Sequence, residues 1–200
     1  MQHIQTEHTE GGMKYKINDI YPTIQGEGCL TGMPMILVRL QGCGVGCPWC
    51  DTKETWDEIQ GEVGSFDEAK GKSRKWNYME PGEIVDSFAE VAPQAETQWV
   101  MVTGGEPMEQ DLGELIATFR RRGFRVAVET SGTEPINAQP DWLTISPKIG
   151  MAKPFRPATV RTADEIKFPV GSQKDINTLV RLVGCEEHTA HVCIEPLSQS

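Results

Sequence analysis

Three thiols fall within eight residues in Cys43-Gly44-Val45-Gly46-Cys47-Pro48-Trp49-Cys50, directly after the apolar run at 35–40. That run reads as a buried strand, and the glycines at 42, 44 and 46 free the backbone after it to curl, so that three sulfurs can converge on one point. A fold that carries this segment must end a strand against a loop made to hold a metal or a cluster. Three sulfurs are one fewer than a closed zinc site or a cubane takes, so Cys-x3-Cys-x2-Cys leaves one metal position for a ligand that is not protein. A zinc knuckle that borrows its fourth ligand from Cys185, His188, His191 or Cys193 is the competing reading. It lacks the two separate paired clusters of the usual zinc pattern. Six cysteines in 200 residues, three of them crowded together and no signal peptide in front, suit a reducing cytoplasm better than a disulfide framework.

The order of the remaining segments indicates an α/β chain. Positions 14–24 alternate apolar residues at Tyr15, Ile17 and, after a slip, Ile20, as expected of an N-terminal edge strand that turns at Pro22. Strands are expected at 98–103, 124–129, 142–146, 165–168 and 191–194. Helices are expected from Pro81, burying Ile84, Val85, Phe88 and Val91; on Leu112, Leu115, Ile116 and Phe119, stopped by Gly123; and on Ile176, Leu179, Val180 and Val183, closed by Gly184. Arg120, Arg121 and Arg122 crowd the end of the second helix, where they compensate its dipole. Strand and helix alternate with short joins, which predicts a parallel sheet of right-handed crossovers whose site lies beyond the carboxyl ends of the strands. The polar and glycine-rich motifs fall after strands: the cysteine loop, Thr103-Gly104-Gly105-Glu106-Pro107, Glu129-Thr130-Ser131-Gly132, Ser146-Pro147-Lys148 and Glu195-Pro196. Residues 1–12 read as a flexible leader, 13–200 as one domain, and the polar stretch at 57–77 as a surface insertion or lid.

Composition narrows the partners. Nineteen Lys and Arg against 29 Asp and Glu leave a net charge of −10, which repels phosphate backbones and argues against nucleic-acid binding. There is no apolar run of 18 residues, so no membrane span is expected.

The cysteine spacing, with aromatic Trp49 before the last thiol, resembles the cluster signature of radical S-adenosylmethionine (SAM) enzymes. In these, three cysteines hold a [4Fe-4S] cluster and SAM chelates the fourth iron. Gly104-Gly105-Glu106-Pro107 is similar to their GGEP motif, which binds the methionine amino group. With Gln25-Gly26-Glu27-Gly28, Arg39, Cys50-Asp51-Thr52, Glu129-Thr130-Ser131-Gly132 and Ser146-Pro147-Lys148, the sequence from about Lys14 to Pro196 resembles the 7-carboxy-7-deazaguanine synthase family. The resemblance implies a partial (β/α)6 barrel, a homodimer, an electron donor such as flavodoxin, and ring contraction of 6-carboxy-5,6,7,8-tetrahydropterin with loss of ammonia, on the way to queuosine and related bases.

Residue by residue, it implies that Cys43, Cys47 and Cys50 hold the cluster. SAM would be bound by Trp49, Asp51, Gly104, Gly105, Glu106, Glu129, Ser146, Pro147, Lys148 and Glu195. The pterin would be lined by Ile24, Gln25, Gly26, Glu27, Arg39 and Thr103, and Thr52 would ligate Mg2+. No residue stands out as a dominant acid or base, with Glu27 and Glu129 as assistants, in keeping with a cofactor that carries the hard step. Two departures accompany the resemblance. The family continues past the last strand to a segment that reaches the pterin, so that segment is expected to be missing here, and Glu195 stands where relatives often have Gln. A glycyl-radical enzyme activase shares the cysteine spacing and GGEP. Gln25 to Gly28, Arg39 and Thr52 argue against it, and a zinc-stabilised binding module is the non-enzymatic alternative.

Overall fold

The structure, a computed structural model, describes residues 8–9, 12–56, 76–93 and 96–197. Part of the expected leader is paired: β1 (His8–Thr9) runs antiparallel to β2 (Gly12–Met13). The expected insertion at 57–77 lies almost wholly outside the described residues.

β3 (Tyr15–Ile24) buries Tyr15 and Ile17, and a register shift between Ile17 and Asp19 makes Ile20 the next buried apolar side chain. The slip in the sequence pattern is thus a bulge. The strand is neither at the sheet edge nor broken at Pro22. It pairs antiparallel with β4 (Pro34–Leu40) on one side and, through Tyr15 to Ile17, with β5 (Asn77–Met79) on the other. Pro22 lies beyond the stretch that β5 covers, where among the described residues no second ladder requires its missing N–H.

α1 (Pro81–Val91) starts with proline at its first position and a Glu80 N–H to Glu83 Oε2 bond of 2.7 Å, and buries Ile84, Val85 and Phe88. β6 (Trp99–Gly104) precedes α2 (Gly113–Arg121), which buries Leu115, Ile116 and Phe119 and ends before Gly123 at φ 86°. Each of the three arginines there meets a carboxylate: Arg120 with Asp141, Arg121 with Glu114 and Arg122 with Asp86. β7 (Arg125–Thr130), β8 (Trp142–Ile145) and β9 (Glu165–Val170) follow. α3 (Gln173–Cys185) and β10 (His191–Pro196) complete the described chain. α3 differs from expectation: Gly184 lies inside it, only Leu179 is buried, and Val180 is 61% exposed.

The strands form one eight-stranded sheet in the order β10-β9-β8-β7-β6-β4-β3-β5, with β4, β6, β7, β8, β9 and β10 all parallel. Helix faces and one sheet face close over a large apolar core that includes Val38, Val100, Val128, Ile145 and Ile166. Met35, Trp99, Met101 and Ala127 form a smaller cluster from the alternate positions. The sheet is strongly curled. β3 and β9 are five strand spacings apart, about 24 Å if the sheet were flat. Yet the Cys29 N–H, in the 3-10 turn after β3, donates to Glu165 Oε2 on β9 at 2.7 Å. The result is the partial barrel that the resemblance implied, with the loops after the six parallel strands on one rim. Among the described residues no helix is long and apolar enough to cross a membrane.

Candidate active site

The cysteine loop is anchored at both ends. Gln41 N–H donates to Lys16 O at 2.9 Å; its side chain accepts from Asn18 Nδ2 at 2.9 Å and donates to Glu54 O at 3.0 Å. Gly44 N–H donates to Glu109 Oε1 at 2.8 Å, and the same carboxylate takes Lys153 Nζ at 2.6 Å. The GGEP loop is sewn directly to this segment. Gly105 N–H reaches Leu40 O at 3.0 Å and Glu106 N–H reaches Gly42 O at 2.8 Å. A side chain on Gly104 would overlap the Leu40 backbone, and one on Gly105 would overlap the Gly42 carbonyl. The two glycines are required because two backbones approach closely.

Cys43, Cys47 and Cys50 line one cavity of about 410 Å³. Burial pushes the Cys43 thiol up to about 12 and raises Cys47 as well, so binding a metal must draw off protons. Cys50 Sγ accepts from Trp56 Nε1 at 3.3 Å and Thr52 N–H at 3.4 Å, donors that stabilise a ligating sulfur. Among the described residues the only His, Cys, Asp or Glu trio with ligand atoms all within 4.8 Å of one another is Cys29, Glu165 and Cys193. The loop thiols are spread wider than that. Ligands on one tetrahedral zinc would sit roughly 3.8 Å apart, from a Zn–S distance of about 2.3 Å. As placed, the loop thiols do not meet the spacing of a single tetrahedral ion, and three thiolates with no fourth protein ligand among the described residues suit a cluster with one open corner.

The same cavity is lined by Arg39, Trp49, Asp51, Thr52, Thr103, Gly104, Gly105, Ser146 and Lys148, and by Glu27, Glu106, Glu129 and Glu195. Ile24, Gln25, Gly26 and Pro147 are not among its lining residues, and Ile24 is 66% exposed. Glu106 is buried, and its carboxylate accepts from Met108 N–H at 3.0 Å, Ser131 N–H at 2.9 Å, and the hydroxyls of Thr130 and Ser131. Four donors fill the acceptor sites of a carboxylate. Burial pushes this carboxyl up, opposed by those bonds. Lys148 Nζ donates to Ser146 Oγ at 2.6 Å, and Arg39 Nη2 to Tyr21 Oη at 2.7 Å. Lys167, only 3% exposed, pairs with Glu129 at 2.6 Å and Glu27 at 2.9 Å, with Glu195 at 3.6 Å. Burial and the neighbouring Glu27 and Glu129 raise Glu195 to about 7, against the pull of Lys167.

The radical SAM superfamily matches residues 37–166. The 7-carboxy-7-deazaguanine synthase of Escherichia coli K12 is 37% identical over 193 residues, covering 94% of this chain and 86% of that protein. The chain belongs to the 7-carboxy-7-deazaguanine synthase family. The Synechocystis synthase is 33% identical over 168 residues, 82% of this chain and 69% of its own. The crystal structure of QueE from Escherichia coli superposes with a TM-score of 0.86 at 35% identity, covering 94% of this chain and 85% of that one. Membership in this family displaces both rivals, the activase and the zinc-stabilised module.

For a 7-carboxy-7-deazaguanine synthase, the sequence reading missed several supports. Lys167 was detectable as a lone cation inside the apolar strand Ile166-Lys167-Phe168. Tyr21, Trp56, Glu109 and Lys153 left no comparable sign, because each acts on a residue distant in the chain or through a loop whose path the sequence does not reveal.

Proposed function

We propose that this cavity converts 6-carboxy-5,6,7,8-tetrahydropterin to 7-carboxy-7-deazaguanine and ammonia, in the biosynthesis of 7-deazapurines such as queuosine. The observation that carries the reading is the junction of three loop thiols, the Arg39 guanidinium and a Lys167-held group of glutamates on one cavity.

Cys43, Cys47 and Cys50 would hold the [4Fe-4S] cluster, which with SAM would supply the one-electron chemistry that removes hydrogen from carbon. The chain's own residues bind and orient. Arg39, steadied by Tyr21, offers a planar fork to the substrate carboxylate, a charge-assisted contact of about 1.5 to 3 kcal/mol. Glu27 and Glu129, held by Lys167, accept N–H bonds from the amino heterocycle. Lys148, fixed on Ser146, answers the carboxylate of SAM, and Trp49 and Asp51 line the cavity beside it. With the Glu106 carboxylate occupied within the protein, acceptance of the SAM ammonium falls to the backbone of Gly104 and Gly105. Ile24, at the end of β3, and Gln25 and Gly26, in the turn before Glu27, reach the pterin when it is bound.

Thr52 supplies one neutral oxygen on the cavity wall, enough for Mg2+ only if substrate and water complete the shell. A homodimer, a flavodoxin-type donor and a cytoplasmic setting complete the reading; the last is supported by six free cysteines. Anaerobic reconstitution with iron and sulfide, followed by incubation with pterin, SAM, Mg2+ and reductant, tests it. Equal yields of 7-carboxy-7-deazaguanine and ammonia are expected, and cluster-loaded protein that leaves the pterin unchanged refutes it.

A further inference from the structure

Outside the cavity, two thiols and a buried carboxylate meet at the seam where the curled sheet nearly closes. Cys29 lies in the 3-10 turn at Gly28–Leu30, Glu165 opens β9, and Cys193 lies in β10. Glu165 and Cys193 share a face of the sheet, because His191 pairs with Glu165 and Cys193 with Lys167. Cys29 Sγ and Cys193 Sγ are 3.7 Å apart, and both lie within 4.8 Å of a Glu165 carboxylate oxygen.

Glu165 is 2% exposed. It accepts from Cys29 N–H and faces the Cys29 thiol, and among the described residues no lysine or arginine pairs with it, Lys167 being paired with Glu27, Glu129 and Glu195. A buried carboxylate with no cationic side chain beside it, converging with two thiols, is a donor set suited to a cation.

We infer that Cys29, Glu165 and Cys193 bind a thiophilic divalent cation of the zinc type, separate from the cluster loop. The sulfur spacing decides between two chemistries. Two thiolates on one tetrahedral zinc sit about 3.8 Å apart, from Zn–S of about 2.3 Å, whereas a disulfide needs roughly 2.05 Å. The observed 3.7 Å matches the first without movement. Three protein ligands leave a fourth position for water, as at an exchangeable site. The ion would clasp the turn that follows Gln25 and Glu27 to the two strands that carry Lys167 and Glu195, closing the seam beside the substrate loop. The inference does not depend on the reaction assigned to the cavity.

The test uses the cluster-loaded full chain under argon, given one equivalent of zinc and desalted. Metal analysis and zinc-edge X-ray absorption, which is blind to iron, are the readouts. The expected result is about one zinc per chain with two sulfurs at roughly 2.3 Å and lighter ligands completing the shell. Cys193→Ala and Glu165→Gln should each lower retained zinc at least tenfold with iron unchanged; if Glu165→Gln fails to fold, Cys193→Ala decides. Zinc lost on desalting, zinc kept equally by Cys193→Ala, a shell of three sulfurs from the cluster loop, or a Cys29 to Cys193 disulfide in place of zinc would overturn the site.

Discussion

Glu27 Oε2 lies 2.9 Å from Lys167 Nζ, although 140 residues separate them in the chain. The ammonium ties the loop after β3 to β7 through Glu129 and faces Glu195 of β10, so one buried cation fixes three walls of the cavity. Burial alone would lower Lys167; the carboxylates Glu129, Glu195 and Glu27 outweigh it and raise it. These neighbours favour its charged form.

Lys167→Met leaves these carboxylates together without their counter-charge. A loss of about 3–5 kcal/mol in stability is expected from breaking a buried pair. A fall of roughly 100-fold in kcat/KM is expected from misplacing Glu27 and Glu129. Chemical unfolding and steady-state turnover measure the two, and Lys167→Arg should recover stability better than turnover.

Glu195 links stability to pH. Its carboxyl titrates at about 7 in the folded chain, above the ordinary 4.5, because of burial and its acidic neighbours. The folded state therefore holds a proton that the unfolded state has released between those values. This contribution is fully present below 4.5 and is lost as pH rises through about 7. The protonated acid also offers an O–H and a C=O, as an amide offers N–H and C=O. Glu195→Gln should have a Tm that falls less than that of the parent between pH 5 and pH 8, with the gain at the alkaline end.

Arg39→Lys keeps the charge and loses the fork. A rise of roughly 10- to 100-fold in KM for the pterin, with iron content unchanged, is expected from losing about 1.5 to 3 kcal/mol of paired contact. An unchanged KM would remove Arg39 from the carboxylate site.

Gly105→Ala drives a methyl into the Gly42 carbonyl and breaks the seam between the GGEP and cysteine loops. Iron bound per chain after reconstitution should fall well below that of the parent. Gly123→Ala, far from the cluster and with open space around its Cβ, should leave iron binding intact while costing about 1 kcal/mol for its positive φ.

Seven of the ten described strands and two of the three described α-helices were legible because burial follows their periodicity, as with Ile84, Val85 and Phe88 in α1 and Leu115, Ile116 and Phe119 in α2; the short β1, β2 and β5 were not. The cysteine loop was legible because its chemistry is local. α3 was misread at Gly184 because that helix buries only Leu179 fully, with Leu182 and Val183 packed against the core but partly open, so its pattern is weak. Pro22 suggested a turn because the sequence does not show that β5 covers only the start of β3. Tyr21 and the Glu109 to Lys153 pair were unreadable, and the partners of Lys167 were too, for a shared reason: those contacts are supplied by the curl of the sheet and the paths of the loops, which no window of sequence contains.

The most direct measurement is anaerobic turnover of the cluster-loaded chain with 6-carboxytetrahydropterin deuterated at C6. Deuterium passing into SAM or 5′-deoxyadenosine as 7-carboxy-7-deazaguanine forms is the expected result. Product formed with no label in either, or no product from protein carrying a full cluster on Cys43, Cys47 and Cys50, would contradict it.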